Sequence, residues 1–384
     1  MTDQFSVKKI LKGLEGRLGE DDYLEPLEIL VNSLNKNKLN KFGELAFKHQ
    51  LKKRLKTRAL LYSASQEKEF VDPADPIFVI GLPRSGTTFL FNLLYQDKSY
   101  RSPLYWEIMN PLPITNNKRD IARRMRKVDR DLFIGKTIIP KLRSMHTIRA
   151  NMPEECEQIA TMHVKSFVYM CMADIPEYSE YLKHCEFDSV FMWHKRFFQI
   201  IESQNRPQRW LLKDPSHIGH IPSILKTYPN AKFINIHRNP AEAMGSFCSL
   251  TKNIRSAFTK KIDAESIGKT VINFWSHNLN KGMDDRFLVD TNNIVDIKYD
   301  DFIKNPLMEI KKVYASLQMD MTIETENNIQ QFLVNGKSKS KRKHNYSLSE
   351  FGLNERILEI NLETICSNMT FNDKIIFFKI RLSL

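Results

Sequence analysis

The stretch FVIGLPRSGTTFLFNLL, Phe78 to Leu94, constrains the fold more than any other part of the chain. An apolar run, Ile77–Ile80, reads as a buried strand and meets a Gly-Leu-Pro-Arg-Ser-Gly turn. A helix-like run, Thr87–Tyr95, follows at once. A strand that passes through a glycine turn into a helix opens an α/β sheet, and the amides at such a helix start attract anions. The spacing Gly81-x4-Gly86 is that of a triphosphate-binding loop, which continues with Lys and then Ser or Thr. Here Thr87 and Thr88 follow Gly86, and the loop's cation is Arg84, inside it. A triphosphate loop uses its lysine on the β- and γ-phosphates and its hydroxyl on magnesium. Without that lysine the loop suits a donor with one 5′-phosphate and no metal. A tight strand–helix turn without a ligand is the alternative.

Three later segments read as strands of the same sheet: RWLLKDP (Arg209–Pro215), AKFINIHRNP (Ala231–Pro240) and NIVDIKYDDF (Asn293–Phe302). Between the first two lies SHIGHIPSILKTYP, with apolar positions suited to a helix. Strand, helix, strand in this order predicts parallel pairing through a right-handed crossover. Ligands then belong at the C-terminal ends of the strands, where Arg84, Lys213 and Arg238 stand.

Residues 1–70 are rich in Leu, Lys and Glu with helical spacing, and predict a helical N-terminal region. DPADP, residues 72–76, breaks the helix and launches the first strand. Residues 71–384 would form the α/β domain, interrupted by a helical insertion at about 111–200. Within the insertion, Lys118–Arg143 carries ten Lys or Arg against three Asp, with apolar residues at Ile121, Met125, Val128 and Leu132.

The 384 residues, 42% hydrophobic and 27% charged, have an ordinary globular balance. A net charge of +13 suits an anionic ligand, nucleic acid or an anionic membrane surface. The five cysteines, Cys156, Cys171, Cys185, Cys248 and Cys366, match neither a C-x-x-C pair nor a zinc pattern. Scattered thiols, no apolar leader segment and no run of about 18 apolar residues predict a soluble, cytoplasmic protein without a metal.

Five motifs in order, from about residue 77 to 353, resemble one family. GLPRSGTTFL resembles the 5′-phosphosulfate loop of sulfotransferases that use 3′-phosphoadenosine 5′-phosphosulfate (PAPS). FINIHRNPAEAMGSFCSL resembles their 3′-phosphate element, an Arg followed eight residues later by a Ser, here Arg238 and Ser246. WLLKDP is similar to the Lys-Asp-Pro segment of protein-tyrosine sulfotransferases and their bacterial relatives. YDDFIKNP (Tyr299–Pro306) and KHNYSLSEFGL (Lys343–Leu353) resemble the family's Tyr-x-Asp-x4-Pro element and the C-terminal signature of the bacterial branch. The resemblance implies a P-loop-type, three-layer α/β fold with a central parallel sheet.

It also implies roles. Arg84, Ser85, Gly86, Thr87 and Thr88 would hold the 5′-phosphosulfate. Lys213 would stabilise the leaving oxygen. Arg238 and Ser246 would recognise the 3′-phosphate, although Arg238 could instead pair with Glu242 four residues on. The basic run Lys337–His344 would either close over that phosphate or form a solvated loop. Glu107, in RSPLYWEIMNPLP, resembles the base of the protein-tyrosine enzymes, and His146 is the rival base. Pro153-Glu154-Glu155 resembles a family motif that could cap a helix. Trp106, Trp193, Trp210 and Trp275 either line an acceptor pocket or belong to the core. The basic helix-like stretch 118–143 either docks a lipidic acceptor or membrane face, or packs on the domain with a solvated side. The acceptor would be a small molecule, lipid or sugar, not nucleic acid, and the oligomeric state is open. A nucleotide or nucleoside kinase and a non-catalytic anion-binding protein are the competing functions; the first lacks its loop lysine.

Overall fold

The computed structural model describes residues 4–67, 69–138, 148–203, 205–336 and 347–354. Two compact units share the chain. The first draws on Met1–Ala74, Ser102–Gln208 and Leu250–Asp263; the second on Asp75–Arg101, Arg209–Ser249 and Ala264–Leu384.

The second unit carries the sheet. Its strands are β1 (Pro76–Ile80), β2 (Tyr100–Arg101), β3 (Arg209–Lys213), β4 (Lys232–His237) and β5 (Ile294–Lys298). They lie in the order β2-β3-β1-β4-β5, and every pairing is parallel. The strands are parallel, as the strand–helix–strand order predicts, but β3 and β4 do not pair with each other as that order also predicts: they flank β1.

Register sorts the side chains to two faces. Val79 sits beside Ile234 and Lys213, whereas Phe78 sits beside Leu212 and Phe233. On the first face Ile77, Val79, Leu211, Ile234, Ile236 and Ile297 form one core with the helices Thr87–Leu94, Pro306–Ser316 and Ile323–Gly336. Each Leu or Ile so enclosed contributes about 1.5–3 kcal/mol. On the second face Phe78 stacks on Phe233 and meets the rings of His217 and Tyr228. His217 lies in the 3-10 turn Pro215–His220 after β3, Tyr228 directly follows the helix Ile221–Thr227, and the helix Ala264–Asp285 packs on that turn. Helices on both faces make three layers, as the family resemblance implies.

The first unit is helical among its described residues. Asp188–Glu202 buries Val190, Phe191, Trp193, Phe197, Phe198 and Ile201, the three- and four-residue spacing of a core-facing stripe. Lys41–Glu67 buries two arginines, Arg54 and Arg58. A buried guanidinium is tolerated only when fully engaged. Arg58 donates to the carbonyls of Leu18 and Glu20, pairs with Asp22 and lies 4.1 Å from the centre of the Trp193 ring. Its Nη1 is 2.8 Å from His163 Nδ1, which is also 2.9 Å from Asp22 Oδ2. Burial, reinforced by Arg58, drives the His163 pKa down to about 4 although Asp22 pulls it upward.

Candidate active site

The loop after β1 requires left-handed backbone at three places. Gly81 has φ 141°, Gly86 has φ 95° and Arg84, a residue with a side chain, has φ 69°. Glycine supplies the first two without steric cost. A Cβ at Gly81 would lie 2.5 Å from Ile236 O, so β4 passes directly behind the loop. Ser85 closes the turn from within: its amide and its hydroxyl both donate to Leu82 O, at 3.2 and 2.7 Å. The helix Thr87–Leu94 starts at Gly86, with no side chain capping it. Helix-opening amides have no acceptor within the helix, so they and the partial positive charge of that end favour an anion.

Three cationic side chains converge on this loop. Lys213 ends β3 beside Val79, is buried, and donates from Nζ to Thr88 Oγ1 at 3.3 Å. Its ammonium also lies 5.6 Å from the Phe91 ring centre. A cation therefore reaches the first helical turn from a neighbouring strand. Arg84 donates from Nε to Ser246 Oγ at 3.1 Å, which joins two residues that the sequence reading assigns to opposite ends of a nucleotide. Arg238, just past β4, donates from Nη1 to Arg84 O at 2.8 Å and so clamps the left-handed residue. Its guanidinium also stands 4.5 Å from the Tyr299 ring centre and pairs with Glu242 at 2.7 Å. The alternative reading of Arg238 is thus realised, but as one of several engagements. Exposed pairs of this kind are worth about 0–1 kcal/mol, little enough for a phosphate to displace.

Two sets of contacts are not readable from the sequence. Tyr299 packs its ring against Gly86, where a Cβ would lie 2.8 Å from it, and also lies against the Arg238 guanidinium. Asp296 on β5 accepts from Arg286 at 2.7 Å and meets His237 Nε2 at 2.7 Å and Asn235 at 3.3 Å. Burial would raise its pKa, but the His237 contact and the Arg286 charge outweigh burial and hold the carboxyl well below its usual range. His237 immediately precedes Arg238, so this network fixes the strand end that presents the arginine. A lone Asp in the apolar run NIVDIK is the one trace of it in the sequence.

Glu107 belongs to the first unit, on the short helix Tyr105–Met109. Its Oε2 accepts from the Leu104 amide at 2.8 Å, closing the helix start. The helix end is held by two arginines: Arg54 donates to Ile108 O and Arg124 to Asn110 O. A carboxylate accepts several hydrogen bonds, so capping and proton acceptance are compatible. Glu154 is buried and its carboxylate accepts from the Glu155 amide at 3.0 Å, two residues before the N-cap Cys156 of the helix Glu157–Ala160. All four tryptophans are buried. His146 and Lys337–His344 lie outside the described residues.

Residues 76–323, more than half of the chain, match the sulfotransferase family. Over 261 residues the chain is 25% identical to omega-hydroxy-beta-dihydromenaquinone-9 sulfotransferase Stf3 of Mycobacterium bovis and of Mycobacterium tuberculosis. That match covers 65% of this chain and 64% of those curated relatives, so it spans a little under two thirds of their length. The crystal structure of sulfotransferase STF1 from Mycobacterium tuberculosis H37Rv superposes with a TM-score of 0.82 at 26% identity, covering 96% of this chain and 100% of that one. Sulfotransferase STF9 from Mycobacterium avium shares the fold, with a TM-score of 0.82 at 23% identity over 95% of this chain and 96% of that one.

Proposed function

The chain belongs to the sulfotransferase family, and from that premise we propose that it transfers a sulfuryl group from PAPS to an acceptor hydroxyl. The observation that carries the proposal is the Lys213–Thr88 contact at the mouth of the Gly81–Gly86 loop. The bond from sulfur to the bridging oxygen of the phosphosulfate breaks, and a bond from sulfur to the acceptor oxygen forms. The bridging oxygen leaves on the phosphate of 3′-phosphoadenosine 5′-phosphate, and the acceptor's proton passes to a base. Charge grows on the departing oxygen, so a fixed cation there lowers the barrier. Lys213 fills that role. The loop amides with Arg84, Ser85, Gly86, Thr87 and Thr88 hold the 5′-phosphosulfate, and Arg238 with Ser246 holds the 3′-phosphate. The Arg84–Ser246 hydrogen bond supports treating these as one continuous wall. Glu107 is the proposed base on the strength of its sequence motif, with His146 as its rival.

The curated relatives are named for a hydroxylated menaquinone. The acceptor proposed here is accordingly a hydroxyl on an apolar, lipid-like molecule. Nothing in the donor loop favours a kinase, since Thr87 stands where a triphosphate loop carries lysine. Thermal unfolding with adenosine 3′,5′-bisphosphate, compared with ATP and magnesium, tests the donor class. Stabilisation by the bisphosphate is expected; stabilisation by ATP and magnesium alone would refute it.

A further inference from the structure

The helix Lys118–Ile138 has two long faces of opposite chemistry. One is occupied: Ile121, Met125, Val128 and Leu132 pack with Trp106 and Ala150 of the same unit. The other is an exposed stripe at three- and four-residue spacing, Arg119, Arg123, Arg126, Lys127 and Arg130, running on into Phe133 and Ile134. The stripe is cationic first and apolar last. Phe133 is 66% exposed and Ile134 50%. The helix's three acids do little to neutralise it. Asp129 accepts from the Ala150 amide, Asp131 pairs with Lys53, and Asp120 pairs with Arg123 and Arg124. Arg119, Arg126, Lys127 and Arg130 keep their charge facing solvent.

We propose that this stripe docks the protein on an anionic phospholipid bilayer. The cations sit on headgroup phosphates, and Phe133 and Ile134 enter the boundary with the acyl chains. A soluble polyanion would engage the cations and leave the two apolar side chains in water. A membrane surface is charged outside and apolar beneath, and that layering matches the order along the helix. The inference does not depend on the transferase reading, because docking needs neither donor nor acceptor. It would, however, bring an enzyme to acceptors that dissolve in lipid.

The test is sedimentation at low salt with vesicles of phosphatidylglycerol in phosphatidylcholine, against phosphatidylcholine alone. The protein is expected to pellet with the anionic vesicles and to be released by added salt. Replacing three cations, Arg126→Gln, Lys127→Gln and Arg130→Gln, should lower partitioning on the order of 100-fold. Phe133→Ser with Ile134→Ser should lower it roughly 10-fold or more. A Phe133→Trp variant gives an independent readout that preserves the apolar tip: the native tryptophans are buried, so the change in emission beyond that of the unsubstituted protein reports this site and should be a shift to the blue on anionic vesicles. Equal pelleting with neutral vesicles, or no fluorescence shift, overturns the proposal. So does a loss confined to the charge variant, which would mark a general polyanion surface.

Discussion

Replacing Gly86 by alanine adds one methyl group where the loop, the end of β5 and Arg238 meet, and its cost divides into two parts. Gly86 has φ 95° and ψ 5°. Holding an L-residue in left-handed backbone costs about 1–2 kcal/mol. The new Cβ would lie 2.8 Å from both Cδ2 and Cε2 of Tyr299, closer than carbons approach, so the ring must turn. That ring lies 4.5 Å from the Arg238 guanidinium, an attraction worth about 0.5–1 kcal/mol at a partly exposed site. The total is about 1.5–3 kcal/mol. Strain that the loop retains lowers the unfolding free energy. Strain that it relieves by rearranging must be restored when nucleotide binds, and lowers affinity instead. Urea unfolding and calorimetric titration with adenosine 3′,5′-bisphosphate should together recover the sum. In a Tyr299→Ala background the ring is already gone, so Gly86→Ala should cost only the backbone part, and the difference between backgrounds isolates the contact. An identical cost in both backgrounds would show that the Tyr299 contact plays no part. A combined loss below about 0.5 kcal/mol would refute the claim that the loop needs left-handed geometry at this residue.

Lys213→Ala should lower kcat by about 100- to 1000-fold while adenosine 3′,5′-bisphosphate still binds; parallel loss of binding would make Lys213 a donor-holding residue instead. Glu107→Gln can still accept from the Leu104 amide, so unfolding should change little while turnover falls at least about 100-fold; full activity would pass the role of base to His146. Arg238→Ala should weaken adenosine 3′,5′-bisphosphate far more than adenosine 5′-phosphosulfate. Glu242→Gln, which frees Arg238 from its pair, should tighten the bisphosphate by up to about 5-fold; unchanged affinity in both variants would remove Arg238 from 3′-phosphate recognition. Acid should destabilise the first unit through His163. An unfolded histidine binds its proton near about 6.5, whereas burial delays the folded one to about 4. The unfolded chain therefore holds more protons in that window, and stability present above pH about 6.5 is lost as pH falls toward about 4, by roughly 3 kcal/mol from this residue. Urea midpoints at pH 7 and pH 4.5 measure the slope, and His163→Gln should flatten it; an unchanged slope would assign the acid sensitivity elsewhere.

What is legible in this chain follows from how local each feature is. β1, β3, β4 and β5 announce themselves because each is an apolar run ended by a polar residue or a turn. β2 does not: Tyr100–Arg101 is too short to show a period, and it is a strand only because it pairs with β3. The strand order is equally unreadable, since nothing within β3 or β4 says that β1 lies between them. The same division runs through the site. Gly81 and Gly86 advertise positive φ because glycine is what such backbone selects, but Arg84 at φ 69° carries no such mark and is held by Arg238, just past β4. The Arg238–Glu242 pair can be foreseen from its four-residue separation, whereas the contact between Arg84 and Ser246 spans 162 residues and cannot. Tyr299 and Asp296 act through β5, whose neighbour on the sheet is β4, so their bearing on Arg238 appears only once register is known. A residue such as Lys213 then has a double character. Its place at a strand end is local information, but its use as the cation the loop lacks depends on β3 lying beside β1, and it is this neighbourhood that lets a loop without its lysine still present an ammonium to Thr88.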